Sequence, residues 1–201
     1  MRNDERLRTI YEVMAPYIVR NEHNWRDYLA FASQFHKHSF DNILLVYAQD
    51  EDVSILATRK QWAAIGRNLI PRAKGVAVCV YRNAKLTLDY LFDVSQTTGK
   101  EIHPTDWQLS DEMKEALTER LSYAHGFPKQ GFSQALYALA SESVADNYNH
   151  FLQELKQETK GHLFTEIPAG GFEAQYIQLL TDSISYFIGK KCHLPDEEIQ
   201  L

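Results

Sequence analysis

The sequence predicts an α+β protein, with N-terminal helices packed on a small antiparallel β-meander and a mainly α-helical C-terminal half. Three observations support this class. Apolar residues recur at helical spacing before residue 50, β-branched residues dominate two runs between residues 75 and 94, and helical periodicity returns after residue 110. A chain of 201 residues, 44% of them hydrophobic, is long enough to bury one core or two small ones.

The N-terminal part contains three predicted helices. Apolar residues on one face define each of them, Pro16 bends or ends the first, and Asn24 is the predicted N-cap of the second. The predicted bounds are about Asn3–Val19, Asn24–Phe35 and Asn42–Ala48.

The middle of the chain changes to the composition of strands. Thr58 is predicted to cap a short helix that stops at Gly66. Two β-rich runs joined by a polar turn through Arg82, Asn83 and Ala84 predict a hairpin. The predicted segments are a strand at Val53–Leu56, a helix at Lys60–Ile65, and strands at Gly75–Tyr81 and Leu86–Val94.

The C-terminal part is predicted to be helical. Pro104 and Asp106 mark a boundary, so we expect one domain over residues 1–108 and a helical region over 109–201. Loops rich in glycine and proline separate its three predicted helices, which are Asp111–Tyr123, Ser133–Lys156 and Phe172–Lys191.

Bulk properties narrow the class of protein. Cys79 and Cys192 form no Cys-x-x-Cys pair, which argues against a disulfide framework and a zinc knuckle. No apolar run is long enough to cross a bilayer, and the N-terminus lacks the order of a secretory signal, so we expect a cytoplasmic protein without membrane contact.

The charge is distributed unevenly along the chain. The net charge is −6, yet no Asp or Glu occurs between Val53 and Leu88, where seven cations lie. Removing these seven positive charges leaves −13 for the rest of the chain. A basic block flanked by acidic segments is typical of a localised surface for phosphates rather than of a protein that coats nucleic acid.

Residues suited to binding single-stranded nucleic acid cluster in and near this block. Phosphates need Lys or Arg, and unstacked bases need flat aromatic partners. Ser39 and Asn42 precede the block, although Ser39 also fits an N-cap, and Asn42 and Gln49 also fit bonds to the backbone. Trp62 suits a core anchor better than a base platform. The predicted nucleic-acid-binding residues are Arg59, Lys60, Arg67, Arg72, Lys74, Tyr81, Arg82, Lys85, Ser39 and Asn42.

Five short sequence segments in this region resemble, in the same order, segments of the N-terminal domain of ArdC-type antirestriction proteins. Plasmids and conjugative elements carry the genes of this family. The five segments are Trp25 with Leu29 and Phe31, the segment His38–Gln49, the segment Thr58–Arg67, the segment Arg72–Val78, and the segment Leu91–Thr97. The resemblance covers a little under half of the chain and implies a single-stranded-DNA-binding domain of a mobile-element protein.

The second half departs from that family. Full ArdC-type proteins continue into a zinc peptidase domain with His-Glu-x-x-His, a motif that this chain lacks. Gln178–Ile188 resembles a later helix of that domain, with Asp182 where an acidic ligand would stand, which implies a degenerate, metal-free remnant. The histidines His23, His36 and His38, and the set His162, Glu166, Asp182 and His193, are predicted not to form a metal site.

We therefore expect a non-catalytic protein without cofactor that binds single-stranded DNA, either alone or beside other domains of a larger mobile-element protein. Two alternatives stay open. The acidic helices could form a protein-interaction module, or the chain could be a zinc-dependent peptidase, which the missing motif disfavours.

Overall fold

The computed structural model of the chain describes residues 3–83, 85–102, 109–127, 131–160 and 171–199. It divides into two compact units, Met1–Asp106 and Trp107–Leu201, called unit 1 and unit 2 below. Helices and a few antiparallel strands make up the described residues, which confirms the α+β class. Pro104 and Asp106, predicted as a boundary, lie outside the described residues.

Unit 1 begins with three helices and continues with short strands around one further helix. The helices are α1 (Asn3–Ile18), α2 (Glu22–Ser33), α3 (Phe40–Gln49) and α4 (Arg59–Ala64). The strands are β1 (Leu56–Ala57), β2 (Arg67–Leu69), β3 (Val76–Arg82), β4 (Lys85–Asp93) and β5 (Thr97–Gly99), with a 3₁₀ turn at Val94–Gln96.

Two local features of unit 1 differ from the prediction. The N-cap of α2 is Asn21, whose side chain accepts the Asn24 N–H at 2.9 Å, so the Asn24 assignment was wrong. Asn24 instead lies inside the helix, and its own amide donates to the Tyr17 carbonyl. The first strand lies at Leu56–Ala57 rather than Val53–Leu56, because only these two residues pair with β4.

The strands of unit 1 form two sheets and not a meander in chain order. All pairings are antiparallel, as predicted, but β4 lies between β3 and β1 in the larger sheet. Strands β2 and β5, which no pattern in the sequence predicted, form a separate two-stranded sheet with Arg67 opposite Gly99.

The core of unit 1 lies between the helices and the buried side of the β3–β4 hairpin. Ile18, Tyr28, Val46 and Trp62 are among its fully buried side chains. The Tyr28 hydroxyl donates to the Phe40 carbonyl at 3.0 Å. Burial, together with the nearby Asp41 carboxylate, raises the pKa of Tyr28 far above its usual value, so this hydroxyl stays protonated.

Unit 2 contains the helices α5 (Asp111–His125), α6 (Phe132–Glu158) and α7 (Phe172–Lys191), followed by a 3₁₀ turn at Asp196–Glu198. These bounds confirm the three predicted C-terminal helices. Ser110 caps α5, and Gly126 ends it with a φ of 72°, a left-handed conformation that glycine adopts without strain. Aromatic rings of α6 and α7 pack together, with Phe151 stacked on Tyr176 at 4.3 Å between centroids. None of the helices described in either unit is long and apolar enough to cross a membrane.

Candidate nucleic-acid interface

The β3–β4 hairpin presents one solvent-facing side. Arg82 pairs with Lys85, and Asn83 in the intervening two-residue turn has a φ of 52°, as hairpin turns require. Since side chains alternate along a strand, the register places Tyr81, Leu86, Leu88 and Tyr90 on one side and the buried Val76, Val78 and Leu91 on the other. Of the other two predicted turn residues, Arg82 is the last residue of β3, and Ala84 lies outside the described residues.

Large apolar side chains on this side are unusually exposed. The exposed fraction is 79% for Tyr81, 53% for Leu86 and 46% for Tyr90. Three such side chains lie on one side of a short hairpin, and exposed apolar side chains grouped in this way commonly mark a binding surface in soluble proteins. We call Tyr81, Leu86, Leu88, Tyr90 and Phe92 the hairpin face.

Gly75 lets the end of the hairpin face approach the neighbouring backbone closely. A Cβ atom at Gly75 would lie 2.9 Å from Phe92 Cζ and 3.1 Å from Tyr90 Cβ. Only glycine leaves room for the Phe92 ring there, which explains in physical terms why Gly75 precedes β3.

A groove of about 770 Å³ borders the Tyr90 end of the hairpin face. Helix α4 forms one wall of the groove and strands of the hairpin form the other. Its lining residues are Thr58, Arg59, Lys60, Gln61, Ala64, Arg82, Asp89, Tyr90 and Phe92, and we call it the basic groove.

The cations of the basic groove differ in their availability. Arg82 donates to Asp89 at 2.7 Å, so this pair largely cancels its own charge. Arg59 and Lys60 are exposed, and within the part of the chain that the structure describes neither forms a hydrogen bond or an ion pair. These two side chains are therefore available to an anionic ligand.

Helix α4 is held firmly in position beside the hairpin. Thr58 and Gln61 form a capping box, in which the Thr58 hydroxyl accepts the Gln61 N–H and the Gln61 side chain accepts the Thr58 N–H. Trp62 is 1% exposed, and its Nε1–H donates to the Phe92 carbonyl at 2.8 Å. The prediction that Trp62 is a core anchor is confirmed, and this anchor fixes Arg59 and Lys60 next to Phe92.

Three of the predicted binding residues have their polar groups engaged within the fold. The Arg67 guanidinium donates to the Thr97 hydroxyl and carbonyl and to the Lys100 carbonyl. Ser39 accepts the Asn42 N–H at the start of α3. The Asn42 amide donates to the Cys79 carbonyl at 2.7 Å and accepts the Cys79 N–H at 2.8 Å.

Gln49 binds the backbone of β3 in the same way as Asn42. Its side-chain amide exchanges two hydrogen bonds with Ala77, two residues before Cys79. Of the two roles that the sequence left open for Asn42 and Gln49, the structure shows the backbone role. Together these two side chains cover the free edge of β3, an edge that would otherwise be open to another strand.

The seven cations of the basic block do not gather in one groove. Arg59, Lys60 and Arg82 line the basic groove, and Arg67 is bonded within the β2–β5 region. Arg72, with a φ of 67°, Lys74 and Lys85 are exposed but lie outside its lining. The seven cations therefore do not form the one localised surface that the charge pattern predicted, and three of them line the basic groove.

A second groove, of about 800 Å³, lies at the Tyr81 end of the hairpin face. Helices α1 and α3 and the hairpin enclose it. It contains Leu7, Tyr11, Asp41, Leu45 and Cys79, together with Tyr81, Leu86 and Leu88 of the hairpin face. No pattern in the sequence predicted this groove, because its walls come from segments far apart in the chain.

In the described parts of the chain, no group of three or more His, Cys, Asp or Glu side chains is placed to hold a metal ion. His23 lies 3.3 Å from Asp27, and Asp182 accepts hydrogen bonds from Tyr137 and Gln178. Burial, followed by the charge of Lys37, lowers the pKa of His38. His162 and Glu166 of the second candidate set lie outside the described residues.

No family model, no curated protein and no solved structure matches this chain. The resemblance to ArdC-type proteins thus stays a prediction from sequence motifs.

Proposed function

We propose that unit 1 is a non-catalytic module that binds single-stranded DNA across the hairpin face, with the phosphates on Arg59 and Lys60. The observation that carries the proposal is the contact between an exposed aromatic surface and a groove with two unengaged cations. Single strands are bound by this pair of features, since bases stack on flat rings while cations neutralise the backbone.

The shape of the surface favours a single strand over a duplex. Tyr81 and Tyr90 stand on one side of a sheet, where they could stack only on bases that are not already paired and stacked. Major-groove readers usually insert an α-helix or a two-stranded β-ribbon. The β3–β4 ribbon is flanked on both edges, by β1 beside β4 and by the Asn42 and Gln49 side chains along β3. Helix α4, which lines the basic groove, is six residues long and is fixed by its buried Trp62.

The charge of the two units supports this location. The formal charges sum to +1 over residues 1–106 and to −7 over residues 107–201. An anionic strand is therefore repelled less by unit 1, and the basic groove focuses the positive charge beside the aromatic face. Taking the sequence resemblance together with this surface, we propose a cytoplasmic role in a mobile element, either shielding an entering strand or positioning a larger protein on it.

The proposal is tested by fluorescence-anisotropy titration of a labelled oligothymidylate, single-stranded and as a duplex, at two salt concentrations. We expect tighter binding to the single strand. If Arg59, Lys60 and one further cation neutralise phosphates, the log–log dependence on salt has a slope of about −2, at roughly −0.7 per contact.

Substitutions separate the cationic contribution from general charge. Replacing Arg59 and Lys60 by alanine should flatten the slope by about 1.4, or two contacts at roughly −0.7 each. The matched control replaces Arg20 and Lys37, which change the net charge equally but line neither groove. Equal slopes for the two double variants would reject the basic groove as the phosphate site.

The aromatic contribution has its own variant. Tyr81→Ala should weaken binding by about 1–3 kcal/mol for one lost stacked base, which corresponds to about 5- to 150-fold. Tyr123→Ala is the control, because Tyr123 is 95% exposed on α5 of unit 2. An unchanged affinity in Tyr81→Ala would remove the hairpin face from the binding surface.

One observation favours the second candidate function, a protein-interaction module. Unit 2 contains a groove whose lining includes Glu115, Glu119, Glu197 and Glu198, where Lys114 lies 3.9 Å from Glu198. Such a surface suits a basic protein segment. A protein partner captured by unit 2 together with no oligonucleotide binding at low salt would support this candidate instead.

A further inference from the structure

The second groove adjoins the proposed DNA path and differs from the basic groove in chemistry. Leu86 and Leu88 of β4 line the second groove, and Tyr90 and Phe92 of the same strand line the basic groove. Tyr81 pairs with Leu86, and Tyr90 pairs with Ala77. The two tyrosines therefore lie four residues apart along the hairpin, or about 13 Å at 3.3 Å per residue. A strand stacked along the hairpin face therefore reaches both grooves.

The second groove suits a base better than a phosphate. Leu7, Leu45, Cys79 and Leu88 contribute apolar surface to its lining. Arg8, the arginine among its described lining residues, donates to Glu12 at 2.8 Å, and the carboxylates of Glu5 and Asp41 also line the groove, so these residues offer little positive charge to a phosphate. Burial raises the pKa of the Cys79 thiol, and Asp41 raises it further, so the thiol is neutral at physiological pH.

Asp41 stands out among the polar residues of the groove. Ser39 and Asn42 have their polar groups engaged in capping α3 and in holding β3, and the Thr87 hydroxyl donates to the Val80 carbonyl. The Asp41 carboxylate is exposed and forms no hydrogen bond or ion pair with the residues that the structure describes. It is a charged acceptor beside an apolar surface.

A carboxylate distinguishes bases by the N–H groups on their edges. Guanine offers an imino N–H and an amino group side by side, which a carboxylate binds in a bidentate fashion. Cytosine and adenine offer an amino group, whereas thymine offers one N–H between two carbonyl oxygens that a carboxylate repels. The expected order of affinity is guanine first and thymine last.

We infer that the second groove receives one unstacked nucleobase of the bound strand and that Asp41 selects bases with N–H donors, guanine above all. This inference rests on the proposed function of unit 1 and adds base selectivity to it. Asp41 also lies in the first turn of α3, where an acid stabilises a helix, so the test must separate selectivity from stability.

The experiment compares an oligothymidylate with three oligonucleotides in which one thymine is replaced by guanine, cytosine or adenine. Wild-type protein should bind the guanine oligonucleotide about tenfold more tightly than the oligothymidylate, the low end expected for hydrogen bonds to a charged group. Asp41→Asn should abolish this preference without weakening the binding of the oligothymidylate.

Asp52→Asn is the matched control, since it removes the same charge from an exposed loop of unit 1 outside both grooves. It should keep the guanine preference. Thermal melting of both variants checks that unit 1 stays folded, and Asp41→Glu should restore part of the preference if the carboxylate itself is responsible.

The outcomes separate the two proposals. Binding of all four oligonucleotides with equal affinity, or a preference that survives in Asp41→Asn, overturns the role of Asp41 and leaves the single-stranded-DNA function intact. If no oligonucleotide binds at low salt, both the function and the selectivity are refuted.

Discussion

The clearest structural prediction concerns the two amide side chains that hold the edge of β3. Asn42 exchanges two hydrogen bonds with Cys79, at 2.7 and 2.8 Å, and Gln49 exchanges two with Ala77, both at 2.9 Å. Asn42→Ala removes the side-chain amide that accepts from the Cys79 N–H and donates to the Cys79 carbonyl. Alanine is a better helix former than asparagine, so the substitution does not weaken α3 itself.

The expected cost follows from the number of bonds lost. A hydrogen bond contributes about 0.5–1.5 kcal/mol net, so Asn42→Ala should destabilise the β3 edge by about 1–3 kcal/mol. The Gln49 side chain is more exposed, and water replaces its bonds more readily, so Gln49→Ala should cost about 0.5–1.5 kcal/mol. For the Cys79 amide in Asn42→Ala, this cost corresponds to hydrogen exchange that is faster by about 5- to 150-fold. For the Ala77 amide in Gln49→Ala, exchange should be faster by about 2- to 13-fold.

Residue-resolved hydrogen exchange tests this prediction with internal controls. In Asn42→Ala the Cys79 amide should exchange faster while the Ala77 amide changes little, and in Gln49→Ala the reverse should hold. If the Cys79 amide exchanges at the wild-type rate in Asn42→Ala, the side-chain clamp does not hold the strand, and the reasoning fails.

Three further predictions concern unit 1. Burial alone would raise the pKa of Asp93, but hydrogen bonds from the backbone of Ser54, Ser95 and Ile55 outweigh it and hold the pKa below its usual value. Its stabilising effect is therefore complete above pH of about 4 and is lost as the pH falls further. Asp93→Asn should cost about 1–3 kcal/mol at neutral pH and flatten this dependence, as followed by urea titration of unit 1 NMR signals. Arg67→Ala should lower the urea midpoint, costing about 1.5–3 kcal/mol, yet leave the salt slope of oligonucleotide binding unchanged. Gly99→Ala would place a Cβ in steric overlap with the Gly66 carbonyl oxygen and should lower the melting temperature, whereas retained stability would contradict the observed close approach.

Local signals in the sequence predicted most of the helices. The spacing of apolar residues located α1, α3 and all three helices of unit 2, and Thr58, as an N-cap residue, predicted the start of α4. The start of α2 was misplaced because Asn21 and Asn24 are equally good caps by residue type. Which asparagine accepts the N–H depends on the backbone, which the sequence does not specify.

Pairing between distant segments was harder to predict. Strands β2 and β5 have three residues each, too few for a period, and Arg67 pairs with Gly99 across more than 30 residues. The order of the larger sheet depends on the same kind of long-range pairing. The sequence predicted the hairpin itself, whose two strands are adjacent in the chain.

The candidate site was only partly predictable from the sequence, because it also depends on contacts between distant segments. Arginine residues look alike in a sequence, but the Arg67 guanidinium is bonded within the fold whereas Arg59 is exposed. Alternation along β3 and β4 implied that Tyr81 and Tyr90 could share a side. That this side faces solvent depends on where the helices pack, and the structure was needed to show it.

The central claim is that the hairpin face of unit 1 contacts single-stranded DNA. Titration of ¹⁵N-labelled protein with an unlabelled oligothymidylate tests it directly, residue by residue. We expect saturable chemical-shift changes at Arg59, Lys60, Tyr81 and Tyr90, which weaken with added salt, and none along α7. Shifts confined to unit 2, or none anywhere at low salt, would contradict the claim.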